Sequence, residues 1–306
     1  MTDAPQITWR SWLMVATLGF TWGGTFLVTE LALNHWPPFW LASGRVLFGA
    51  LTMLIIWRAM GLRLFAERPD MTTRVTLLAV GAFSTAIPFM LLAWGQQHVT
   101  AGFAGVSMAS VGLIVLPLAH FFVPGERMTL RRVLGFVIGF VGVCVLIGGQ
   151  AFDTTGSDLE WAGRMACVGA ACCYGISSVL MRRLPAVDPV GLSTVLLVIA
   201  AAIVVPLAMI REGVPALPGP EGWIIIAILG LIPTAAANLL RVMVIRSAGP
   251  VFMSLTNYQV PLWSVLLGAY FLAEPLPSSL LLAMVLILSG VAISQLGALK
   301  RLFARA

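Results

Sequence analysis

Long apolar stretches alternate with short polar connections along this chain. No Asp, Glu, Lys or Arg occurs between Arg74 and Glu126. That interval is long enough for two membrane crossings at about 20 residues each, and Gly95, Gln96, Gln97 and His98 interrupt it near the middle. The same rhythm predicts ten apolar helices, over 12–33, 39–58, 74–94, 98–121, 132–148, 161–181, 190–210, 222–242, 248–271 and 279–297. Turn-forming pairs fill the gaps: Pro37-Pro38, Pro124-Gly125, Asp188-Pro189, Gly219-Pro220 and the Pro275-Leu276-Pro277 run.

Composition turns this pattern into a fold class. The 306 residues are 59% hydrophobic and 10% charged, with a mean hydropathy of +0.99. A soluble domain carries about 25% charged residues, so this chain has too little polar surface to cover itself in water. Lipid removes the difficulty, because apolar side chains then face outward and helices satisfy their own backbones. The expected class is all-α integral membrane.

The net charge of +6 does not point to nucleic acid, because most of the basic residues lie between the apolar segments. With the N-terminus inside, the inner connections hold Arg10, then Arg58, Arg63, Arg68 and Arg74, then Arg127, Arg131 and Arg132. Arg182 and Arg183, Arg241 and Arg246, and Lys300, Arg301 and Arg305 follow on the same side. The outer side holds Arg164 and Arg211, and its 149–160 connection is acidic. This asymmetry predicts an even number of spans with both termini cytoplasmic, in a bacterial cytoplasmic membrane.

The halves 1–148 and 149–306 resemble each other. Glu126 and Glu274 each open a final span, with Gly142-Val143 and Gly290-Val291 sixteen residues on. Trp22-Gly23 in the first span corresponds to Tyr174-Gly175 in the sixth. Five spans per half is odd, so the reading is two inverted five-helix repeats, an architecture whose substrate site lies at the repeat interface near the midplane.

Trp22-Gly23-Gly24-Thr25-Phe26, Pro37-Pro38 and then Arg45 resemble the opening of the drug/metabolite transporter superfamily. Pro261, Glu274 and Gly290-Val291 resemble the end of its repeat, the EamA domain. The first half departs from that pattern, with Leu113 where the repeat has Pro and Pro117 four residues later. Within the superfamily the chain is most similar to the YddG-type exporters of aromatic amino acids. The resemblance implies a ten-helix secondary transporter.

Polar groups within the spans are candidate site residues, because burying them in lipid is costly. Arg45 is a candidate for holding a substrate carboxylate or a gate, with snorkelling and a structural pair with Glu30 as the alternatives. Glu30 is the candidate coupling group. Thr256, Asn257, Tyr258 and Gln259 precede Pro261 in the ninth span; Ser84, Thr85 and Pro88 in the third, and Pro233, Thr234 and Asn238 in the eighth, make similar breaks. Asn257, Tyr258, Gln259, Thr85 and Asn238 are substrate-binding candidates there, and Pro88, Pro233 and Pro261 are the expected helix breaks. Trp22 and Tyr174 are candidates for cavity lining.

Cys144, Cys167, Cys172 and Cys173 lie in apolar runs without ligand spacing, and His35, His98 and His120 fall at span ends. No metal, cofactor or catalytic set is expected. Gly19/Gly23, Gly135/Gly139 and Ala101/Gly105/Ala109 are small residues four apart, suited to close helix approach.

These residues suit a secondary transporter for small neutral or aromatic amino acids or related metabolites, working by alternating access, with export the expected direction and a monomer the expected state. A nucleotide sugar or phosphate ester would call for more basic residues in the cavity. A membrane-embedded enzyme would need a catalytic pair or metal set at membrane depth.

Overall fold

The computed structural model describes residues 7–62, 64–65, 68–123, 128–148, 158–185, 187–248 and 250–303. Of the residues singled out above, Arg63, Pro124, Gly125, Glu126, Arg127 and Arg305 lie outside the described residues, as do the side chains of Arg246 and Arg301. The described chain is helical, with one isolated bridge between Phe65 and Val187.

The first span is α1 (Trp9–Leu33) and the second α2 (Pro38–Ala59). The third is α3 (Met71–Gly81) and α4 (Ile87–Gly95), joined by a π-helical segment over Ala82–Ala86. The fourth is α5 (Ala101–Ala109) and α6 (Val111–Phe122), followed by α7 (Leu130–Gly148). The sixth and seventh are α8 (Glu160–Met181) and α9 (Pro189–Glu212). The eighth is α10 (Pro220–Leu229) and α11 (Ala237–Ala248), joined by a second π segment over Gly230–Ala236. The ninth is the short α12 (Pro250–Met253) and α13 (Thr256–Leu272); α14 (Ser278–Phe303) is the tenth.

Among the described residues nine helices are long and apolar enough to cross a membrane. The tenth expected crossing, 248–271, is split between α12 and α13, and α13 has 17 residues. Its interruption falls at Ser254-Leu255, and Pro261 lies inside α13. The chain is a multi-pass membrane protein, and large apolar side chains such as Phe140, Val198 and Leu266 are exposed along its spans, as a lipid solvent permits.

Local chemistry sets the helix ends. Asp70, Thr100 and Asp188 each accept a hydrogen bond from the amide three residues on, at 2.8, 3.1 and 2.7 Å. Pro38, Pro189 and Pro220 stand in first turns, where a missing N–H costs nothing. Gly213, at φ +69°, ends α9.

Close approach through small residues fixes the packing. A Cβ on Gly135 would lie 2.5 Å from the Gly290 carbonyl, so α7 and α14 meet backbone to backbone. A Cβ on Gly23 would lie 2.5 Å from Trp263 Cβ, which seats α1 on α13. Gly105 of α5 lies against Ser264 of the same α13. The second span packs along the seventh, and α4 along α8. All these partnerships join one half of the chain to the other. The fourth span divides at Ser110: α5 follows α13, whereas α6 turns onto α8, where Gly175 receives Ile114.

Candidate substrate site

Two π segments shape the middle of the bundle. Such segments arise where an i→i−4 ladder is disturbed, and each here is beside or around a proline, Pro88 or Pro233. In the eighth span the disturbance leaves carbonyls available to side chains. The Trp22 indole donates to the Pro233 carbonyl at 3.1 Å, the Asn238 amide to the Thr234 carbonyl at 2.5 Å, and the Thr234 hydroxyl to the Leu229 carbonyl at 2.8 Å.

Arg45 reaches this segment from α2. Its Nε donates to Thr234 Oγ1 at 2.9 Å, and its guanidinium carbon lies 4.0 Å from the centre of the Phe89 ring. Tyr174, from α8, is within its electrostatic reach. Among the described residues Arg45 has no ion pair, and its terminal nitrogens have no hydrogen-bond partner. The side chain is half-buried. The structure thus brings Phe89, Tyr174 and Thr234 to Arg45, with Trp22 and Asn238 on the neighbouring Pro233 and Thr234 carbonyls, drawing on five spans. Chemically this is a fixed cation beside aromatic surface, suited to a carboxylate attached to an apolar body.

The other candidates lie elsewhere. Thr85 is buried in the first π segment, sharing a 3.3 Å hydrogen bond with Ser84. Gln259 packs over Gly19 of α1, and Asn257 is exposed at the start of α13. The Tyr258 hydroxyl is buried without a hydrogen-bond partner among the described residues.

Glu30 does not pair with Arg45. It interacts with the Gln96 side chain and is within electrostatic reach of Glu274. Gln96 is 2% exposed and also donates to the Phe26 carbonyl at 2.9 Å. One oxygen of Glu30 is buried without a hydrogen-bond partner among the described residues.

Two glutamates, Glu212, which the sequence reading passed over, and Glu274, which it read only as part of the repeat motif, clamp one end of the bundle. This end carries the connections 34–37, 96–100, 213–219 and 273–277. Glu212, the last residue of α9, accepts from the amides of Phe39 and Trp40, both at 3.1 Å. Glu274, just beyond α13, accepts from the amides of Ala101 and Gly102 at 2.6 and 2.9 Å. First-turn amides lack intrahelical partners and carry the positive end of the helix dipole, so each carboxylate holds the end of a second-half helix against the start of a first-half one. The signal available was a lone acidic residue at the end of an apolar span. Trp36 and Trp40 tie the same end further, donating to the carbonyls of Gly222 and Gly213 at 2.9 and 2.8 Å.

Two other features lie apart from the Arg45 cluster. A cleft of about 680 Å³, lined by Phe39, Met90, Trp94, Gln97, Leu207 and Arg211 among others, opens between α2, α4 and α9 at the same end. Arg164, placed on the outer side by the sequence, is buried in an ion pair with Glu160 and donates to the Ile147 carbonyl at 2.7 Å. The four cysteines are free thiols. Among the described residues no group of His, Cys, Asp or Glu is arranged to hold a metal.

Comparison with known proteins fits this architecture. An uncharacterized inner membrane transporter of Escherichia coli, YedA, is 27% identical over 282 residues, covering 90% of this chain and 87% of that protein. An uncharacterized transporter of Bacillus subtilis, YvbV, is 24% identical over 92% of this chain and 90% of its own. A probable terminal-alkyne amino-acid exporter of Streptantibioticus cattleyicolor is 29% identical over 47% of each chain. A solved crystal structure superimposes with a TM-score of 0.65 over 95% of this chain and 98% of the other; at 22% identity it speaks for the fold alone. The model of the EamA-like transporter family matches twice, over residues 9–148 and 161–295, and the chain belongs to that family of drug/metabolite transporters.

Proposed function

We propose that this transporter moves small neutral or aromatic amino acids, or related metabolites bearing a carboxylate, across the bacterial cytoplasmic membrane, with export as the physiological direction. The observation that carries the reading is Arg45: a guanidinium held at Nε, stacked on Phe89, near Tyr174, with both terminal nitrogens free among the described residues. A guanidinium fork with two free donors matches a carboxylate, and the surrounding Trp22, Phe89 and Tyr174 offer surface to an apolar side chain. The S. cattleyicolor relative named as an amino-acid exporter supports the same class.

The halves act as inverted repeats that rock about this site, in a monomer with both termini cytoplasmic. Supporting this are the double match of one family model, the pairing of spans across the halves and the clamps by Glu212 and Glu274, which correspond to a closed outer gate. Glu30 is the candidate for coupling to protons, since it brings a buried carboxylate oxygen without a hydrogen-bond partner among the described residues.

The test is uptake of a radiolabelled amino-acid panel into proteoliposomes, with and without a pH gradient. Saturable uptake of phenylalanine, tryptophan or a small neutral amino acid, lost in Arg45→Ala at equal reconstitution, is the expected result. Folded protein that takes up none of the panel refutes the substrate claim.

A further inference from the structure

Arg45 lies on α2, and a long flexible side chain there would lose much rotamer freedom on meeting a ligand. The structure removes that freedom beforehand through one hydroxyl. Pro233 has no N–H to give the Leu229 carbonyl four residues back. The Thr234 hydroxyl donates to that carbonyl at 2.8 Å, which commits its single proton. Its oxygen is left as an acceptor, and it receives Arg45 Nε at 2.9 Å.

The hydroxyl itself is held in place. Thr234 is 2% exposed, and its methyl packs against Gly49 of α2, where an added Cβ would lie 2.7 Å from Cγ2. The Asn238 amide caps its carbonyl at 2.5 Å. Phe89 covers one face of the guanidinium. Nε and one face are therefore occupied, and the edge left free is the one that carries the two terminal nitrogens.

We infer that Thr234 is a positioning residue, which orients Arg45 so that the two terminal nitrogens of its guanidinium meet the carboxylate of the cargo, and that it thereby sets the preference for carboxylates over uncharged or cationic analogues. This rests on the reading of Arg45 given above. The chain of contacts runs from a proline-disturbed carbonyl in the eighth span, through one hydroxyl, to a cation in the second.

The experiment compares labelled phenylalanine with labelled phenylalaninamide, whose carboxylate is replaced by a neutral amide, in proteoliposomes of wild type, Arg45→Ala, Thr234→Val and Thr234→Ser. Thr234→Val keeps the shape and removes the acceptor. It is expected to raise KM for phenylalanine about tenfold with little change in kcat, and to erase the preference over the amide. Thr234→Ser is expected to restore both. A purely structural role would lower transport of both compounds together and leave their ratio alone. If Thr234→Val does not fold, Thr234→Cys, whose thiol is a poor acceptor, carries the same expectation. A ratio unchanged in the Thr234 variants but lost in Arg45→Ala overturns the positioning role alone. A ratio unchanged in Arg45→Ala, or no phenylalanine uptake by folded wild type, overturns both it and the reading on which it rests.

Discussion

Changing Glu274 to Gln is the most direct test of the proposed outer gate. The carboxylate meets the Ala101 and Gly102 amides with one oxygen each, at 2.6 and 2.9 Å. Glutamine has a single acceptor oxygen, so one amide loses its partner and faces an NH2 group, while the other bond loses its charge. Bonds to charged groups contribute about 1.5–3 kcal/mol each and neutral ones about 0.5–1.5, so the clamp weakens by about 2–4 kcal/mol. Each 1.4 kcal/mol is about tenfold in a conformational ratio. Solvent access to the half-buried carboxylate favours the lower end, an increase of about 30-fold in the open population. Val265, on α13 beside Gly102, is 4% exposed and supplies the reporter. In a background without native cysteines, Val265→Cys is expected to react slowly with a membrane-impermeant maleimide, and about 30-fold faster when Glu274→Gln is added. An unchanged labelling rate in correctly folded protein refutes the role of Glu274 in closure.

Two predictions concern stability. Hydrogen bonds from Thr73 hold the Asp70 carboxyl below its ordinary range; a depressed carboxyl stabilises the folded form above the unfolded pKa and loses that effect as pH falls through the folded pKa. Protection factors over 71–74, taken relative to the intrinsic exchange rate at each pH, are therefore expected to fall in acid, and Asp70→Asn, an equally good cap, to hold them constant; wild-type protection factors that do not change with pH count against the cap. Gly135→Ala places a methyl against the Gly290 carbonyl, which is backbone and cannot rotate away. The expected cost is about 1–3 kcal/mol, read as a lower Tm in detergent, and an unchanged Tm would show that the seam between α7 and α14 is looser than described.

Much of the architecture was legible because lipid makes a simple demand of sequence. Spans must be apolar and about 20 residues long, and helices that approach closely must offer small residues where they touch. Gly135 and Gly23 were therefore visible as contact points before their partners were. The positions of the breaks were not. Pro261 marks the expected interruption of the ninth span, yet α13 runs through it and the chain breaks at Ser254-Leu255. A proline removes one hydrogen bond, and a helix supported by its neighbours absorbs that loss. Pairings across the halves were equally hidden. Thr234 and Arg45 are 189 residues apart, and nothing in either segment names the other. The glutamate clamps bind backbone amides, which every helix start presents alike.

The short connections at the clamped end carry a mechanical consequence. Five residues, 96–100, join α4 to α5, and five, 273–277, join α13 to α14. The second of these contains Pro275 and Pro277, whose rings fix two of its backbone angles. A chain extends at most about 3.3–3.6 Å per residue, so each five-residue segment limits how far its two helices can part at this end. The ends of α4 and α5 here are therefore tethered into one arm, and those of α13 and α14 into another. Glu274 is carried on the second arm and grips the first, so releasing one carboxylate frees two levers of two helices each.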